Sequence, residues 1–188
     1  MSRIKAAFLK AKGINSPCFI PCIIPCIPDE VFLDMVTLLR DKGAGIVEVG
    51  IPFSDPVLDG PVLQKANQLA LQNGVNTIKV FGSLKKIRKR FPEVGIVIMS
   101  YINPIYTYGI EAFLRDAKEA GADGIIIPDC PFEESRIWIK EALKYGIERI
   151  FIVTELTGPR RLKEILKVSS GFLYYTTVKG QVRGIAYP

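Results

Sequence analysis

One pattern constrains the fold of this chain more than any other. Short, largely charge-free runs of Ile and Val alternate with longer, charged, helix-periodic stretches. The apolar runs fall at residues 19–24, 46–49, 95–101, 124–128, 149–154 and 172–176. Runs this short and this apolar are what strands buried on both faces of a parallel sheet require. Between them, Val31, Met35, Leu38 and Leu39 predict one helical stripe, Phe113, Ala117 and Ala120 another, and Leu162, Ile165 and Leu166 a third. Gly43, Gly121, Gly146 and Gly171 each follow a helical stretch and precede a strand, as C-capping glycines do. The segment from Lys42 through Gly45 and Glu48 to Pro52 echoes Ala120 through Gly124 to Pro128: helix end, glycine, strand, proline. The repeating unit is therefore βα, with room for two helices, near 61–73 and 76–91, between the second and third strands.

Steady βα alternation leaves a doubly wound sheet or a (β/α)8 barrel. No G-x-G-x-x-G follows the first strand, which lowers the dinucleotide-binding option. A closed barrel takes eight strands and about 250 residues. With 188 residues and six strands, the expectation is a single α/β domain over 1–188, a TIM-type barrel incomplete at about six of eight βα units.

Composition narrows the chemistry. The sequence contains no histidine, which removes Ser-His-Asp and Cys-His triads, His-ligated metals and imidazole acid–base catalysis. Proton transfer must rest on Asp, Glu, Lys, Tyr or Cys. The net charge of +6 hints at an anionic ligand, but much of it is local, in Lys85, Lys86, Arg88, Lys89 and Arg90. With Val80 and Ile87 facing inward and no interleaved aromatics, that cluster predicts a solvated helix face and no nucleic-acid partner. Cys18, Cys22 and Cys26 share one apolar segment and Cys130 stands apart, unlike a secreted disulfide framework. Their spacing would invite a metal, but a strand alternates its faces and prolines intervene, so small buried hydrophobes are expected and no metal. No apolar run approaches the roughly 20 residues of a membrane helix, and the expectation is a reduced, cytoplasmic protein without a membrane partner.

The candidate site is the stretch from Glu48 through Pro52, Asp55, Pro56 and Asp59 to Pro61. A carboxylate inside an apolar strand needs a partner or a task, and burial raises its pKa toward the range in which it can both take and give a proton. Asp55 and Asp59 lie in the following loop, on the carboxyl-terminal face where barrel active sites form. The alternative is structural: an ion pair closing the loop, or Asp55 or Asp59 capping the helix that starts at Pro61.

The run Glu48-Val-Gly-Ile-Pro-Phe-Ser-Asp-Pro-Val-Leu-Asp-Gly-Pro-Val-Leu-Gln-Lys-Ala66 resembles the signature of the tryptophan synthase alpha chain family. Further matches follow in order: Phe19-Ile-Pro, Pro28-Asp29, Asn73-Gly-Val, Tyr101-Ile-Asn-Pro104, Tyr108-Gly, Pro128-Asp129 and Gly171-Phe-Leu-Tyr-Tyr175. The resemblance implies a (β/α)8 barrel that cleaves indole-3-glycerol phosphate to indole and glyceraldehyde 3-phosphate, without cofactor or metal, in tryptophan biosynthesis. It implies Glu48 as the acid–base group and Asp59 as the acceptor of the indole N–H. Cys22, Tyr101, Asp129 and Tyr174 would line the pocket, Tyr101 and Tyr174 being equally readable as core aromatics. Pro52, Asp55, Pro56, Asn103 and Pro104 would face the beta chain of an α2β2 assembly.

Departures from the family pattern keep two further readings open. Cys22 stands where the family has an aromatic and Ile27 where it has an aspartate. The closing loop reads Thr177-Val-Lys-Gly-Gln-Val-Arg-Gly184, and the seventh and eighth strands with their phosphate-binding loops are not in the sequence. The alternatives are an impaired chain that only docks on and modulates the beta chain, or a remnant.

Overall fold

The computed structural model describes residues 1–25 and 28–176. Its strands are β1 (Cys22–Ile23), β2 (Ile46–Gly50), β3 (Gly95–Met99), β4 (Gly124–Ile126), β5 (Glu148–Thr154) and β6 (Leu173–Thr176). All pair in parallel, in chain order, as one six-stranded sheet that forms an incomplete barrel. The helices are α1 (Arg3–Gly13), α2 (Asp29–Asp41), α3 (Pro61–Gln72), α4 (Thr77–Arg90), α5 (Ile102–Tyr108), α6 (Ile110–Glu119), α7 (Arg136–Tyr145) and α8 (Pro159–Val168). The two helices expected between the second and third strands are α3 and α4. Among the described residues, no helix is long and apolar enough to cross a membrane.

β2 and β3 are buried at every position, because helices cover one face and the concave interior the other. Phe32, Val36, Leu84, Ile87, Phe113 and Trp138 pack the helices onto the outer face. Ile46, Val97, Met99, Ile126 and Ile150 line the inner face. Helix α1 closes the amino-terminal end of that interior by inserting Ile4, which is wholly buried. Its approach depends on residues without a side chain. A Cβ on Gly45 would meet Ala7 Cβ at 2.9 Å, and one on Gly124 would meet Ile4 Cδ1 at 3.0 Å.

The α6 stripe is buried as expected, but α2 is rotated from the expected phase. Phe32 and Val36 are its buried residues, while Val31 and Leu38 are 54% and 58% exposed. Seven apolar residues between positions 31 and 39 encircle most of the helix, so periodicity alone leaves its phase undetermined. In α8, Ile165 is buried and Leu166 exposed.

The basic cluster also divides. Lys85, Lys86, Lys89 and Arg90 lie on the solvated face of α4, but Arg88 turns inward. Its guanidinium donates to the carbonyls of Val94 (2.7 Å), Pro92 (3.0 Å) and Gly121 (2.8 Å) and pairs with Asp123 at 2.7 Å. Asp123 also accepts from Arg3 at 2.9 Å and from the Ile96 amide at 2.9 Å. One buried carboxylate thus fastens α1, α4, β3 and the start of β4 together. Charge density suggested a solvated face throughout, and this residue is the correction.

Candidate active site

Parallel pairing sets Cys22 beside Glu48 and Glu48 beside Val97, all on the inner face of the sheet. Glu48 is 2% exposed. Burial raises its pKa to about 7; the negative charge of Asp59 adds to the rise, and a hydrogen bond with the Cys22 thiol opposes it. At neutral pH this carboxyl is divided between its acid and its base forms, as a proton shuttle requires.

The loop that follows β2 returns Asp59 to the same interior, where it is 3% exposed. Asn67 of α3 donates to Asp59 Oδ2 at 3.0 Å and to the Leu63 carbonyl at 2.9 Å, while its own Oδ1 accepts from the Phe53 amide at 3.0 Å. Gln64 Nε2 donates to the Asp59 carbonyl at 2.9 Å. The Tyr101 hydroxyl hydrogen-bonds the Asp59 side chain and accepts from the Leu58 amide at 3.1 Å. The loop is a hydrogen-bonded clasp. Burial raises the Asp59 pKa, and the bonds from Tyr101 and Asn67 pull the other way.

The capping alternative fails on this geometry. The N-cap of α3 is Gly60, with no side-chain cap, and Pro61 occupies the first turn, where its missing N–H removes one unpaired donor. Asp59 instead faces inward, and Asp55 is exposed.

Asp129, just past β4, accepts from the Ile102 amide at 2.8 Å and so fixes the start of α5; burial raises its pKa. Tyr174 of β6 packs among the inner residues, and burial, then the nearby Glu48 and Cys22, push its pKa up to about 12. The inner face therefore gathers Cys22, Glu48, Asp59 and Tyr174, with Tyr101 and Asp129 at the strand ends above. Of the positions expected to face a partner, Asp55 and Asn103 are exposed, Pro56 and Pro104 half-buried, and Pro52 buried beneath the loop. A cleft of about 550 Å³ on the outer side of that loop is lined by Asp55, Pro56, Val57, Gln64, Gln68 and Gln72, among others.

Among the described residues, no group of three or more Cys, Asp or Glu could hold a metal ion. Cys130 is buried, whereas Cys18 and Cys22 are half-buried. Cys26, Ile27 and the 177–184 loop lie outside the described residues. Sequence reasoning missed Asn67. Its signal was available: it shares one helical stripe with Leu63 and Ala70, where a polar residue is out of place.

Known proteins match this chain in both sequence and fold. The family described as Tryptophan synthase alpha chain matches residues 8–185. The tryptophan synthase alpha chain of Petrotoga mobilis is 41% identical over 180 residues, 96% of this chain and 68% of the relative. That of Methanocaldococcus jannaschii is 47% identical over 139 residues, 74% of this chain and 50% of the relative. The crystal structure of tryptophan synthase subunit alpha from Legionella pneumophila superposes with a TM-score of 0.89 at 34% identity, over 94% of this chain and 68% of that one. A chain of the tryptophan synthase complex from Pyrococcus furiosus does so with a TM-score of 0.79 at 36% identity, over 84% and 65%. On a match that spans nearly all of its residues, in sequence and in structure, the chain belongs to the tryptophan synthase alpha chain family.

Proposed function

We propose that this chain is a lyase that cleaves indole-3-glycerol phosphate to indole and glyceraldehyde 3-phosphate. The observation that carries the reading is Glu48, a buried carboxyl on the inner face whose pKa is raised to about 7 beside a second buried carboxyl, Asp59. A retro-aldol cleavage needs a proton delivered to indole C3 and one removed from the glycerol hydroxyl. The acid form of Glu48 protonates C3, and positive charge develops across the ring to the indole nitrogen. Asp59 accepts the N–H and stabilises that charge, and Asn67 and Tyr101 hold it in place. The carboxylate left on Glu48 then takes the hydroxyl proton. The bond from C3 to the side chain breaks, its electrons restore the aromatic ring, and the hydroxyl carbon becomes the aldehyde. Glu48 ends protonated, as it began, so neither a metal nor a cofactor enters the proton balance.

Tyr174 and Cys22 line the pocket in this reading, and Asp129 orders the loop at Ile102. The chain acts in the cytoplasm as the alpha partner of a beta chain in an α2β2 assembly. The exposed Asp55 and Asn103, with the half-buried Pro56 and Pro104, offer the surface for that contact. The test is indole release from indole-3-glycerol phosphate, with and without a matching beta chain. Turnover that disappears in Glu48→Gln supports the proposal. No turnover from a sample that melts cooperatively overturns it, and an unchanged beta-chain rate would also remove the docking role.

A further inference from the structure

The first strand brings a thiol to the side of the acid–base carboxyl. Cys22 is the register partner of Glu48 across the β1–β2 pair, so both side chains leave neighbouring strands toward the interior. Cys22 is half-buried, and Glu48 is 2% exposed. Among the described residues, Asn67 donates to Asp59 at 3.0 Å and Tyr101 lies beside it, whereas the group set against the Glu48 side chain is the Cys22 thiol, its neighbour across the β1–β2 pair. Among the described residues, the titratable groups around Glu48 are Cys22 from β1, Asp59 from the loop after β2 and Tyr174 from β6. None of them is a cation. A cation here would hold Glu48 ionised and end its service as an acid, whereas a thiol is a weak, neutral donor that orients the carboxyl and leaves the proton free to move.

We propose that Cys22 is a positioning residue of this site, its thiol donating to the Glu48 carboxyl and fixing the direction in which that carboxyl faces the substrate. The inference rests on the reading of Glu48 as the acid–base group. The donor stabilises the charged form of Glu48, so its loss favours the protonated form. Burial and the negative Glu48 together keep the thiol in its S–H form, which is the form that donates.

The experiment has two arms. In the first, the pH dependence of indole release is compared for the parent, Cys22→Ala and Cys22→Ser. Cys22→Ala should move the limb near neutrality to higher pH, while Cys22→Ser, which keeps a donor, should hold it near the parent's position. A limb that does not move in Cys22→Ala makes the thiol a space-filler and overturns the positioning role. In the second arm, alkylation of Cys22 by iodoacetamide is followed by site-resolved mass spectrometry in the parent and in Glu48→Gln. Removing the charge should lower the thiol pKa and quicken alkylation, by about threefold for each unit of change once the lower nucleophilicity of the more acidic thiolate is counted. An unchanged rate overturns the pairing. Faster alkylation without indole release from any variant would overturn the proposed activity while upholding the contact between thiol and carboxyl.

Discussion

At the amino-terminal end of the sheet, Asp123 is 7% exposed and two guanidinium groups hold it; midway along β2, on the inner face, Glu48 is 2% exposed and a thiol faces it. Both are carboxyls removed from water, so both had to be offset by something. Asp123 is offset by ion pairs that tie four elements together, Glu48 by keeping its proton to about pH 7. The first arrangement secures the fold, and the second leaves a group able to exchange a proton. The contrast sets a stabilising cluster at one end of the sheet against the proposed catalytic group inside it, and it can be broken at either one.

The largest effect is expected at the proposed catalytic group. Glu48→Gln should lower indole release by about 10²- to 10⁴-fold, the range of positioned acid–base catalysis. It should not lower the melting temperature, because it replaces a buried ionisable group with a neutral one of the same shape. A variant that kept a tenth of the parent rate would remove Glu48 from the mechanism. Arg88→Ala should do the reverse. It leaves Asp123 short of a partner and several carbonyls short of a donor, at a cost of about 3–5 kcal/mol of folding stability. Denaturant midpoints would measure this. A loss below about 1 kcal/mol would mean that Arg3 alone satisfies Asp123.

The two carboxyls should also separate in their response to pH. The pKa of Glu48 is raised from 4.5 to about 7 in the folded chain. Between those values the folded state keeps a proton that the unfolded state has released, so stability falls as pH rises through the window and levels off above it. The Glu48 contribution to that fall is on the order of 3 kcal/mol. Because other carboxyls titrate nearby, the informative quantity is the difference between the parent and Glu48→Gln at pH 5 and pH 8. The variant should lose less stability than the parent across that interval. Parallel pH profiles for the two proteins would show that water reaches Glu48 and that its proton is not held by burial.

Much of this architecture was legible in the sequence, and what was not shares one cause. Strand positions were readable because a strand buried on both faces must be short and apolar, and Glu48 stood out because it broke one of those runs. Asp59 stood in the Pro- and Gly-punctuated loop after that run, and Tyr101 entered through the family resemblance. Arg88 was misread because its partner lies 35 residues away: a run of basic residues looks the same whether or not Asp123 comes to meet it. The phase of α2 was misread because the helix is apolar nearly all round. The pairing of Cys22 with Glu48 depends on strand register, which the sequence does not state. In each case the local pattern named the element, and a distant contact decided what one side chain does within it.

The smallest effect is expected where the two tyrosines differ. Tyr101 serves the site: its hydroxyl bonds Asp59 and accepts from the Leu58 amide. Tyr108 donates to Asp116 at 2.6 Å on the helical exterior. Tyr101→Phe removes one of the two donors to Asp59 and leaves the half-buried Leu58 amide without its acceptor, which should cost about 1–2 kcal/mol of stability. Asp59, held then among the described residues by Asn67, should be less well placed for the indole N–H, and the rate should fall by about tenfold, the equivalent of one hydrogen bond. Tyr108→Phe removes the same atom from a place that touches no proposed site residue, and the rate should not change. The pair is informative because the chemical change is identical. A rate loss shared equally by both variants would mean that hydroxyl deletions act through general loosening of the fold. A loss confined to Tyr101→Phe would mean that the loop after β2 owes its catalytic geometry to a residue at the end of the next strand.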